Sequence, residues 1–161
     1  MAEQLKIAEG DKHRKYEVLF KQIEHLAAVE KDPIAVMANA SSMIHHTFGF
    51  LWTGFYIVKD GVLVVGPFQG PIACNRIAYG KGVCGTAWKE ASTVLVADVE
   101  KFPGHIACSS ESRSEIVVPV KFKGEIVAVL DIDSDELSSF DQTDAYWLER
   151  IAGSISSVFG K

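Results

Sequence analysis

The chain has 161 residues, enough for one domain with a real core, and its 48% hydrophobic and 23% charged residues are ordinary globular usage. A formal net charge of -5 with no basic stripe sets nucleic acid aside as a partner. No stretch approaches the run of about 20 apolar residues that a membrane span needs, and residues 1–11 lack the apolar core of a signal peptide, so a cytoplasmic, reducing setting is expected.

Tyr16, Leu19, Phe20, Ile23 and Leu26 form one apolar stripe at helical spacing, and the basic residues Lys12 to Lys15 read as a solvated face. Asp32 followed by Pro33 reads as a cap with proline at the first helical position. Ile34, Met37, Ala38, Ser41 and Ile44 carry this second helix to Gly49. The period then changes to two: residues 52–58, an Asp60-Gly61 turn and residues 62–65 predict a hairpin. The glycine-rich stretch 66–85 predicts a loop, with a short helix starting near Gly85, and residues 93–97 predict a third strand. Residues 98–114 show no period, and a loop of that length is uncommon without a functional role. Residues 115–121 and 125–133 predict a second hairpin. The last helix opens at Asp141, a cap, with Ala145, Leu148, Ile151, Ala152 and Ile155 as its stripe. The order predicts one α+β domain over residues 1–161, an antiparallel sheet flanked by helices: N-terminal helices at about 12–48, sheet and loops at about 50–134, and a C-terminal helix at about 141–159.

Alternation in the strand ending at Asp133 puts Asp131 and Asp133 on one face with Val127 and Val129, and Ile126, Ala128, Leu130 and Ile132 on the other. The place of Glu115 depends on hairpin register. A two-residue Lys123-Gly124 turn pairs Glu115 with Ile132 and sends it to the opposite face. A three-residue loop, Phe122-Lys123-Gly124, pairs it with Asp131, and Gly124 suits the left-handed end of such a loop. The longer loop is therefore expected, gathering Glu115, Asp131 and Asp133. Carboxylates this close raise one another's pKa, hold a proton near neutral pH and attract an ammonium group.

In a reducing compartment structural disulfides are rare, so Cys74, Cys84 and Cys108 each ask for a reason. No C-x-x-C pair is present, and no metal site is expected. Cys108 lies in the long loop three residues after His105. Cys74 lies in the glycine-rich stretch, and Cys84 at the start of a short helix, where the dipole lowers a thiol pKa. Trp52, Gly54 and Tyr56 alternate onto one strand face, two aromatics around a slot wide enough for a methyl group.

Several blocks in order now resemble the free methionine-(R)-sulfoxide reductase family. They are Trp52-Thr53-Gly54-Phe55-Tyr56; Gly66-Pro67-Phe68-Gln69-Gly70 with Ile72-Ala73-Cys74; Gly80-Lys81-Gly82-Val83-Cys84-Gly85-Thr86-Ala87; Gly104-His105-Ile106-Ala107-Cys108; Ser114-Glu115-Ile116-Val117; and Leu130-Asp131-Ile132-Asp133-Ser134. The resemblance implies a GAF-type fold, a homodimer, free methionine-R-sulfoxide as substrate and thioredoxin as external reductant, with no bound cofactor. It implies Cys108 as the attacking thiol, oxidised to a sulfenic acid that a second thiol condenses to a disulfide. Cys74, in a flexible stretch, is favoured as that second thiol, because disulfide formation needs Cα atoms within about 7 Å. Cys84 stays open as its rival. Glu115, Asp131 and Asp133 are then the proton source and ammonium site, with Trp52 and Tyr56 lining the methyl slot. The alternative is a non-enzymatic GAF module that senses a small ligand or redox state, since one fold serves many functions.

Overall fold

A computed structural model describes residues 3–160. Helices α1 (Lys12–Val29) and α2 (Pro33–Phe48) begin at Asp11 and Asp32, whose carboxylates accept N–H bonds from the first turn. Strands β1 (Trp52–Lys59) and β2 (Val62–Gln69) follow, joined by Asp60-Gly61, both at positive φ as a two-residue turn requires. Then come β3 (Arg76–Ala78), α3 (Gly82–Glu90), β4 (Val94–Val96), β5 (Ser114–Phe122), β6 (Glu125–Ser134) and α4 (Gln142–Ser156). A capping box between Asp141 and Asp144 opens α4.

The strands form one antiparallel sheet in the order β3-β2-β1-β6-β5-β4, so the domain is α+β as expected. One face, with Phe55, Leu130, Ile132, Ile116 and Val118, packs on α1, α2 and α4. The other carries Trp52, Tyr56, Val117 and Val129 against Val83, Cys84 and Ala87 of α3. The helical layer is tied by a buried polar contact: the fully buried Asp144 accepts from Tyr16 Oη and Lys12 Nζ, both at 2.6 Å. Lys12 is therefore a structural partner rather than part of a solvated face.

Two expectations fail for one reason, the β-bulge. The first concerns the stretch from residue 66, expected as loop; residues 66–69 instead continue β2, and residues 76–78 form β3. The register of β1 against β2 shifts between Gly54 and Tyr56, so that Phe55 lies opposite both Gly66 and Pro67. A bulge tolerates the glycine and proline that hide this strand in the sequence. The second concerns the β5–β6 hairpin. Its turn is the two-residue Lys123-Gly124, with φ of 50° and 81°, and pairs Phe122 with Glu125. A shift between Val120 and Lys121 then inserts one extra residue, Val127, opposite the β5 strand. That residue restores the parity which the short turn alone would have reversed. Glu115 consequently pairs with Asp133, not with Asp131, and stays on the acidic face. Val127 is thrown to the helical side with Ala128, against the alternation expected for it.

Candidate active site

A pocket lies on the α3 side of the sheet, bounded by β1, β5, β6, α3 and the segments around residues 72 and 105–112. Register places its polar floor. Asp133 sits between Trp52 and Glu115, and Asp131 sits between Gly54 and Val117. From the opposite wall, α3 contributes Cys84, whose Sγ is 4.0 Å from Glu115 Oε1. Gly85 sets that approach: a Cβ there would lie 2.5 Å from the Ala78 carbonyl oxygen, so only glycine lets α3 pack this closely on β3.

Burial dominates the electrostatics. Glu115 is 6% exposed, and loss of solvent raises its pKa well above the ordinary carboxyl range, with the Asp131 and Asp133 charges adding to the effect. Burial also raises Asp131, and hydrogen bonding by Glu115 and Cys84 opposes that shift, so Asp131 is raised less than Glu115. Asp133 is raised by burial and then by Asp131, against a 2.6 Å hydrogen bond donated by Ser112 Oγ. Mutual repulsion, expected as the cause, is thus second to desolvation. One oxygen of Asp131, Oδ1, is sealed from solvent and accepts no hydrogen bond from any described residue.

Cys84 corrects a further expectation. It occupies the third position of α3, but burial and then the Asp131 and Glu115 charges push its thiol up rather than down. It is a neutral thiol outside any disulfide. Cys74 and Cys108 instead form a disulfide, with Cα atoms 5.3 Å apart across 34 residues of sequence. Cys108 lines the pocket, and Cys74 ties the preceding segment to it. His105, also on the wall, has its pKa lowered by desolvation and is neutral near pH 7. Its Nε2 stands 4.0 Å from Glu115 Oε2, beyond hydrogen-bond reach, so it brings no positive charge to the site.

Trp52 and Tyr56 both line the pocket, with a second task that spacing did not reveal. Tyr56 Oη donates to the Cys74 carbonyl and Trp52 Nε1 to the Pro71 carbonyl, each at 3.1 Å, so their polar ends hold the segment bearing Cys74. The slot expected over Gly54 is filled: a Cβ there would lie 2.3 Å from Phe68 Cβ and 2.8 Å from Trp52 Cη2. Phe68 stacks on Trp52 at 5.1 Å between ring centres. Neither Ser112 nor Phe68 carries a signal in the residue spacing. Ser112 lies in a segment with no period, and Phe68 in a strand hidden by Gly66 and Pro67.

A model of GAF domains matches residues 33–159. The X-ray structure of free methionine-R-sulfoxide reductase from Neisseria meningitidis in complex with its substrate superimposes with a TM-score of 0.95. It is 46% identical, and the match covers 98% of this chain and 95% of that one. The free methionine-R-sulfoxide reductase of Saccharomyces cerevisiae is 42% identical over 145 residues, spanning 84% of this chain and 81% of the relative. That of Escherichia coli is 41% identical over 144 residues, spanning 89% and 87%.

Proposed function

This chain belongs to the free methionine-R-sulfoxide reductase family of GAF domains, and from that premise we propose that it reduces free L-methionine R-sulfoxide to methionine through its own thiols. The Cys108 sulfur attacks the sulfoxide sulfur while Glu115 protonates the oxygen. Oxygen passes to Cys108 as a sulfenic acid, and methionine leaves with its sulfur lone pair regained. The Cys74 thiol then displaces that oxygen as water, giving the Cys74–Cys108 disulfide. Thioredoxin, as external dithiol, reopens the bridge by exchange and is itself oxidised.

The observation that carries this reading is a joint one: the Cys74–Cys108 disulfide stands at a pocket whose floor brings together the carboxyls of Glu115, Asp131 and Asp133, with the Glu115 pKa raised by burial and by its neighbours' charges. A protonated acid that cannot reach water is suited to give its proton to a substrate oxygen. The substrate ammonium is assigned to Asp131 and Asp133, where the unbonded Asp131 Oδ1 offers an acceptor. The methyl group is assigned to the Trp52 and Tyr56 rings. Cys74 takes the resolving role because it is the bonded partner of Cys108, whereas Cys84 is a neutral thiol facing the acids. The family likeness extends the proposal to a homodimer working in the cytoplasm; among the described residues, no helix is long and apolar enough to cross a membrane.

The test is turnover of free methionine-R-sulfoxide by purified protein with a thioredoxin-regenerating system. Steady turnover is expected, and none from a folded Cys108→Ser variant. A wild-type protein that forms the disulfide with peroxide but turns over no sulfoxide would be a redox sensor instead.

A further inference from the structure

We infer that the Cys84 thiol and the Glu115 and Asp131 carboxylates form a binding site for one soft divalent cation, of the zinc or cadmium class, overlapping the substrate site. Among the described residues these three bring one ligand atom each within 4.8 Å of the others, and all three side chains are buried. Cys84 Sγ and Glu115 Oε1 are 4.0 Å apart. Around a tetrahedral zinc, with Zn–S of about 2.3 Å and Zn–O of about 2.0 Å, sulfur and oxygen stand about 3.5 Å apart. The Cys84–Glu115 pair therefore needs to close by only about 0.5 Å to share a metal.

A second observation points the same way. Asp131 Oδ1 is buried and accepts no hydrogen bond from any described residue, the unmet acceptor that a cation satisfies. The fourth position of a tetrahedral ion is left to water or an added ligand, because among the described residues only these three bring ligand atoms this close together. One sulfur and two carboxylate oxygens suit zinc or cadmium, whereas magnesium and calcium take oxygen ligands alone. On binding, the thiol enters as thiolate and the protons of Cys84 and Glu115 go to solvent. Cys84 is not the residue bridged to Cys108, so the site persists when the disulfide forms. The overlap with substrate rests on the roles proposed above for Glu115 and Asp131; the metal site itself does not.

The experiment uses the oxidised protein, in which Cys84 is the single free thiol of the chain's three cysteines. Cadmium alone is titrated in, with binding read by calorimetry and by the ultraviolet sulfur-to-cadmium charge-transfer band. One equivalent with that band is expected. Folded Cys84→Ala should lose the band, and Asp131→Asn should weaken affinity at least ten-fold. Zinc should displace cadmium, and excess magnesium should not. No stoichiometric binding, or a band that survives Cys84→Ala, overturns the site. Overlap is tested in the Cys74→Ser/Cys108→Ser protein, which cannot turn over. Free methionine-R-sulfoxide should raise the apparent Kd for cadmium in proportion to its concentration. An unchanged Kd overturns the overlap. Failure of the wild-type reductase assay would instead fault the proposed function and leave the oxidised-protein titration as the test of the metal site.

Discussion

Replacing Glu115 by Gln separates the proton of the site from its shape. Glu115 is 6% exposed and stands beside Asp131, with its pKa raised by burial and by the Asp131 and Asp133 charges. If both ionised, two negative charges would stand within 4.8 Å, a repulsion of about 3.5 kcal/mol at an effective dielectric of about 20. Burial adds to this, so the pair keeps a proton near neutral pH. Glutamine has the same outline and still offers an N–H to Asp131, but it has no proton to transfer. Turnover of free methionine-R-sulfoxide should fall by about 10²–10⁴, or about 3–5 kcal/mol of barrier. Stability should move the other way. The folded-state pKa of Glu115 is raised, so its contribution is fully present below the ordinary carboxyl range and is lost as pH rises through the folded pKa. Glutamine never ionises; the variant should match the parent in mild acid and exceed it increasingly as the pH rises. The assay is kcat/KM with the thioredoxin system, set beside urea unfolding at a series of pH values. Turnover within ten-fold of the parent, or a stability gap that shrinks or reverses in alkali, would refute the proton-holding role.

Cys74→Ser should complete a single turnover and stall with a sulfenic acid on Cys108, detected by a sulfenic-acid trap in rapid-quench samples. Sustained turnover with a Cys84–Cys108 bridge in peptide maps would move the resolving role to Cys84. An N-acetylated, amidated methionine sulfoxide lacks the ammonium assigned to Asp131 and Asp133, and its kcat/KM should fall at least a hundred-fold; efficient reduction would contradict the acidic pocket. Tyr16→Phe leaves Asp144 Oδ1 without its 2.6 Å donor and should cost about 1–3 kcal/mol in urea unfolding, with kcat unchanged. Deleting Val127 makes the Lys121–Ile126 and Val120–Ala128 pairs contiguous. The acids then stay on one face, so activity should remain within ten-fold; its loss in a folded protein would refute the bulge account.

Helices and caps were legible in the sequence because period and capping act between neighbours along the chain. Tyr16, Leu19 and Ile23 form a stripe whatever lies beyond them, and Asp32-Pro33 starts a helix through its own turn. The same local alternation linked Asp131 to Asp133, since residues two apart in a strand share a face. Glu115 reached that face by a route no local rule contained. Lys123-Gly124 made the short turn, and Val127 took up the slack as a bulge chosen by pairing with another strand. Gly66 and Pro67 read as loop for the same reason, because only the facing β1 strand makes room for them. The chemistry of the site was decided still further from the sequence. Cys84 stands where a helix dipole should acidify it, yet burial against Glu115 and Asp131 raises its pKa instead. Desolvation is set by the segments that close over a residue, and these come from distant parts of the chain that only the folded tertiary structure brings together.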